Sequence, residues 1–148
     1  DMWKFYNITH REHILCNPMS IEKLEQLIAL LPLKPGARVL DIALDKASFS
    51  SGLQNVIGKS AAQESISPLF IADVRKKQQE RVPDVQLQFI EMDGARYASE
   101  TPESFDLVAC IGASWIYGGH RETLNALQKM ATPEGWIVVG EPYWRHEP

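Results

Sequence analysis

Arg38-Val39-Leu40-Asp41-Ile42-Ala43 is the stretch on which the fold turns. It is a short apolar run entered through the turn-like Leu33-Lys34-Pro35-Gly36, which predicts a strand buried on both faces. Working back from it, Ile21, Leu24, Leu27, Ile28 and Leu31 recur at helical spacing, with Asn17-Pro18 or Ser20 as start signals and Pro32 as the stop. Working forward, strands are expected at residues 85–92, 105–111 and 136–140, and helices at 68–81 and 120–130. Strands that alternate with helices predict an α/β domain with a mostly parallel sheet, helices on both faces and right-handed crossovers.

Composition agrees with one such domain. The chain has 148 residues, 45% of them hydrophobic and 23% charged, with no repeat and no Gly/Ser-rich linker, so disorder and low-complexity fibres are excluded. A net charge of −4 leaves no basic surplus for a phosphate backbone, so no nucleic-acid partner is expected. Cys16 and Cys110 form no CxxC and no disulfide framework, which fits a reduced, cytoplasmic setting. The apolar runs at 27–31, 39–44 and 105–113 fall far short of the roughly 20 residues that span a bilayer, and the first residues do not read as a signal peptide. A soluble protein with no membrane partner is expected.

In an open parallel sheet the ligand crevice lies beyond the carboxyl ends of the strands. Those ends carry residues 41–47, 93–95, 110–119 and 141–144. Trp115 and Tyr117 follow the 105–111 strand directly, and Gly118-Gly119 loosens their loop. Their aromatic faces suit an amine or a flat substrate; packing beneath the next helix is the other reading. Glu141 and Tyr143 emerge where the 136–140 strand ends, with Glu141 either a general base or one half of a surface ion pair. His10, His13 and Cys16 stand three residues apart, but no fourth ligand of matching spacing exists, so no metal is predicted.

The order of these segments resembles the class I S-adenosylmethionine (SAM)-dependent methyltransferases. The resemblance rests on Arg38 to Ala43, on Phe89-Ile90-Glu91-Met92-Asp93-Gly94-Ala95, on Phe105-Asp106-Leu107-Val108 and on Thr132-Pro133-Glu134-Gly135-Trp136, and it covers nearly the whole chain. Within that family the chain is similar to a bacterial small-molecule group with an aromatic- and histidine-rich N-terminal helix, here Trp3 to Asn17, and a Gly-Glu-Pro-Tyr-Trp run, here Gly140 to Trp144. The resemblance implies a Rossmann-like three-layer sandwich and SAM as cofactor. It implies cofactor contacts at Asp41, Ala43, Asp45, Ala47, Ser65, Asp93, Gly94, Ala95, Ile111 and Gly112, and substrate contacts at Trp3, Tyr6, His10, His13, Trp115 and Tyr117. Residues 1–19 then form a lid over the 20–148 core, although a packed aromatic helix accounts for them equally well. The family sheet has seven strands, so a chain that stops after the fifth reads as truncated, with an open edge suited to homodimerisation.

One window departs from the family. Asp45 and Ala47 stand where a GxG turn lets the backbone approach the cofactor, and Ser65 stands where an acidic residue holds the ribose hydroxyls. From 44 to 65 the pattern is lost, and Ala61-Ala62-Gln63-Glu64-Ser65 makes a poor buried strand. When the third base of each codon is joined to the first two of the next, the genetic code permits residues 45–57 to read GQGEFLVRLAERY and 64–66 to read GVD. That restores a GxG turn running into an amphipathic helix, and an acidic end to strand two. Two accounts stand: compensating frameshifts, or a diverged homologue that no longer binds SAM. The corresponding functions are methyl transfer to a small molecule through a damaged cofactor site, and a catalytically inactive binding or interaction module.

Overall fold

The computed structural model describes residues 19–42, 60–65, 86–91, 95–97, 104–143 and 145–146, with Phe5, Ile8, Thr9 and Lys76 as single positions. Helix α1 is Ile21–Ala29, and strand β1 is Val39–Ile42. Strands β2 (Ser60–Ser65) and β3 (Gln86–Glu91) follow, then β4 (Phe105–Ile111), a 3-10 turn at Ser114–Ile116, helix α2 (His120–Met130) and β5 (Ala131–Gly140). The sheet order is β3-β2-β1-β4-β5 with every pairing parallel, so strand order reverses across β1 and β4.

Local signals account for α1. Ser20 caps it, its hydroxyl accepting from the Lys23 N–H at 3.3 Å. The carboxyl of Glu22, in the first turn, is held below its ordinary range by a backbone hydrogen bond and by the Ser20 hydroxyl.

Period-two alternation along the central strands builds two cores. Val39, Leu107, Ala109 and Val138 pack with Leu24, Ile28 and Leu31 of α1 on one face. Leu40, Ile42, Val108 and Cys110 pack with Leu127 and Met130 of α2 on the other. These are the three layers expected from sequence, and burial on both faces explains why β1 and β4 read as continuous apolar runs.

One expected strand forms against its composition, and one expected boundary is corrected. Residues 60–65 are an interior strand despite their polar composition, paired with β1 through Val39–Ala61 to Ile42–Glu64 and with β3 along their whole length. Backbone ladders on both sides satisfy the strand's N–H and C=O groups whatever its side chains are. The last strand starts at Ala131 and not at Trp136. Ala131 pairs with Phe105 directly after α2, the register then shifts, and pairing resumes at Leu107–Trp136. The intervening Thr132-Pro133-Glu134-Gly135 reads as a turn but is an irregularity within the strand. A Cβ at Gly135 would stand 2.9 Å from the Phe105 carbonyl oxygen, so only glycine lets the two strands close there. Of the predicted 68–81 helix only Lys76 is described, and it is helical.

Candidate functional site

Among the described residues, the carboxyl end of the central strands is built from the last residues of β1 and β4 and the residues that follow β5. Asp41 is buried at 4% exposure beside its register partner Ala109, one residue before Cys110. The Cys110 thiol is fully buried, and its pKa is pushed up to about 12, first by loss of solvent and then by the negative charges of Asp41 and Glu141, against a lowering backbone hydrogen bond at Ala113. The two carboxylates from β1 and from the end of β5 therefore both act on one dry thiol at the end of β4.

Beyond β4 the chain turns sharply. Gly112 adopts φ of 75°, a left-handed conformation that side chains disfavour, and its N–H donates to the Gly140 carbonyl at 2.6 Å. The Ser114 N–H then donates to Glu141 Oε1 at 2.7 Å in a partly buried contact. The Ser114 carbonyl accepts from Tyr117 N and Gly119 N, both at 3.1 Å, and from the Thr123 hydroxyl at 3.4 Å. The buried Thr123 hydroxyl has one proton to give, and its shorter contact is to the Gly119 carbonyl at 2.8 Å, which closes the first turn of α2 and leaves the Ser114 contact the weaker of the two. The loop that Gly118-Gly119 was expected to loosen is thus tied down at Ser114. Sequence reasoning placed Ser114 in the loop after β4 but missed that it fastens the loop, and missed Thr123, whose signal was its place four residues after Gly119, the spacing of a side chain bonding back to a helix-entry carbonyl.

Trp115 stands 60% exposed on this loop, with Tyr117 half-buried against the α2-side core. Tyr143 is 80% exposed, and among the described residues no hydrogen bond joins it to Glu141. Among the described residues no three His, Cys, Asp or Glu side chains gather as a metal site, and no helix is long and apolar enough to cross a membrane.

No family model matches the chain. The curated Escherichia coli K12 protein YjhP, itself described as uncharacterized, is 32% identical over 148 residues, which is all of this chain and 59% of that protein. The crystal structure of YjhP superimposes with a TM-score of 0.84 at 30% identity, covering 98% of this chain and 58% of YjhP. A SAM-dependent methyltransferase from Thiobacillus denitrificans, solved in complex with S-adenosyl-L-homocysteine, matches with a TM-score of 0.82 and 34% identity over 98% of this chain and 58% of its own. Its counterpart from Geobacter sulfurreducens, in complex with the same ligand, gives 0.86 and 34% over 98% and 57%. The fold is that of the class I SAM-dependent methyltransferases. This chain spans 57% to 59% of the length of these relatives.

Set on the methyltransferase fold, the sequence-predicted positions fall into three groups. Asp41, Ile111 and Gly112 lie together at the ends of β1 and β4, with Glu141 hydrogen-bonded to the same loop. Ser65 is the last residue of β2, opposite Glu91 of β3, and Ala95 belongs to a helical turn over residues 95–97. Trp3, Tyr6, His10, His13, Cys16, Ala43, Asp45, Ala47, Asp93 and Gly94 lie outside the described residues. At the end of β2 a serine offers one hydroxyl and not the paired acceptors of a carboxylate.

Proposed function

We propose that the chain is a SAM-dependent methyltransferase-like protein for a small-molecule acceptor, whose cofactor corner is damaged in the sequence as written. The observation that carries this reading is 34% identity, over 98% of the chain, to two methyltransferases that hold S-adenosyl-L-homocysteine. In this reading Asp41, Ala43, Asp45, Ala47, Ser65, Asp93, Gly94, Ala95, Ile111 and Gly112 occupy the cofactor side of the crevice. Trp115 and Tyr117 occupy the acceptor side with the segment from Trp3 to His13, and Glu141 and Tyr143 stand where β5 ends. Methyl transfer demands chiefly the alignment of nucleophile, methyl and sulfur, so it needs no proton-relay triad.

Ser65 at the end of β2 favours a second reading, a methyltransferase fold that has become a binding or interaction module. Calorimetry with S-adenosyl-L-homocysteine separates the two, run on protein whose intact mass matches this sequence and on a chain carrying GQGEFLVRLAERY at 45–57 and GVD at 64–66. Binding by the rebuilt chain alone is the expected result. Binding by neither chain would overturn the methyltransferase reading, and equal binding by both would overturn the damage.

A further inference from the structure

The carboxylate of Glu141 has one oxygen committed to the main chain. Glu141 Oε1 accepts the Ser114 N–H at 2.7 Å across 27 residues of sequence, a short contact of the charge-assisted kind. Ser114 is also where the rest of the loop is gathered: its carbonyl takes Tyr117 N, Gly119 N and the Thr123 hydroxyl, and Gly112 two residues earlier donates to Gly140, the neighbour of Glu141. The loop that presents Trp115 is therefore held from α2 through the Ser114 carbonyl and from β5 through the Ser114 N–H. Among the described residues, Glu141 is the side chain that makes the attachment at the β5 end. At Gly140 a Cβ would crowd the Ile111 side chain, at 3.0 Å from Cγ2.

We propose that Glu141 is a positioning residue, which fixes loop 112–119 against the end of β5 by accepting the Ser114 N–H and so sets where Trp115 stands at the crevice. The role needs a hydrogen-bond acceptor and not a base. Glutamine retains an acceptor oxygen but cannot take up a proton, so Glu141→Gln preserves the device and Glu141→Ala removes it. This assigns Glu141 a different task from proton transfer, and it rests on the methyltransferase reading only for the identity of the ligand.

The test is amide hydrogen exchange on the full chain in three forms, wild type, Glu141→Gln and Glu141→Ala. Trp115 quenching by iodide is read alongside, as the difference between each form and its Trp115→Phe counterpart. A charge-assisted bond of this kind corresponds to about tenfold or more in local opening. Glu141→Ala is expected to speed Ser114 exchange by about that factor and to change Trp115 quenching, with Leu107 and Val108 protection unchanged. Glu141→Gln is expected to stay within about threefold of wild type, the neutral bond being weaker. Wild-type Ser114 protection in Glu141→Ala would overturn the proposal, and so would Glu141→Gln exchanging as fast as Glu141→Ala, which would assign the effect to charge. S-adenosyl-L-homocysteine affinity, measured on whichever chain binds it, is expected to fall about tenfold in Glu141→Ala and to be recovered in Glu141→Gln. Absence of binding by every chain removes the methyltransferase reading, while the exchange result still decides the role of Glu141.

Discussion

Strands β2 and β4 flank β1 on opposite sides, both parallel to it and in register with the same residues. Val39 pairs with Ala61 on one side and Leu107 on the other, and Ile42 pairs with Glu64 and Cys110. Their sequences have little in common: β4 is Phe-Asp-Leu-Val-Ala-Cys-Ile and β2 is Ser-Ala-Ala-Gln-Glu-Ser. Backbone pairing asks only for N–H and C=O groups, so a polar segment held between two ladders completes the sheet. Core stability and crevice chemistry ask for particular side chains, and β4 supplies them. A window can therefore lose its family pattern and leave the topology standing.

The largest expected break in stability is at β4. Leu107 is fully buried, so Leu107→Ala should cost about 2–5 kcal/mol in urea unfolding. Ala61→Val, at the matching register in β2, should stay within about 1 kcal/mol of wild type. Equal costs at the two positions would erase the contrast.

A second prediction sharpens the contrast at the crevice end. With its pKa raised from 9.0 to about 12, the Cys110 thiol carries about a thousandfold less thiolate than an ordinary cysteine at the same pH. In a Cys16→Ser background, iodoacetamide at pH 8 should leave Cys110 unmodified in folded protein and alkylate it in denaturant. The same shift has a definite sign for stability. Between about pH 9 and pH 12 the folded state keeps a proton that the unfolded state releases, so this contribution is intact below pH 9 and is lost as pH rises towards 12. Cys110→Ala should lessen the alkaline loss of stability.

The smallest effect belongs to a purely local signal. Ser20→Ala removes the cap of α1 and should cost about 1 kcal/mol. It should also let the Glu22 carboxyl rise towards its ordinary pKa, an outcome that NMR titration of that side chain reads directly.

How legible each part was follows from how local its cause is. The limits of β4 at Phe105 and Ile111 and of α2 at His120 and Met130 were readable, and Ser20 was one of two start signals for α1, because periodicity and start signals act within a few residues. The start of β5 was not, because Thr132-Pro133-Glu134-Gly135 carries turn residues, and only the approach of Gly135 to the Phe105 carbonyl makes them part of a strand. The positions of Asp41, Gly112 and Glu141 at strand ends followed from the parallel-sheet rule. The link between Glu141 and Ser114 did not, because it joins two loops 27 residues apart through a backbone donor that no residue type announces.

By itself the sequence determined the layers and the parallel sheet, since each is the sum of short-range apolar patterns. Only the tertiary structure decided where β5 would begin, that Cys110 would lie dry under the charges of Asp41 and Glu141, and that one carboxylate would hold the Trp115 loop. The reason is physical: ladder pairing, burial and charge proximity depend on which distant segments become neighbours, and that is known only once the sheet has assembled.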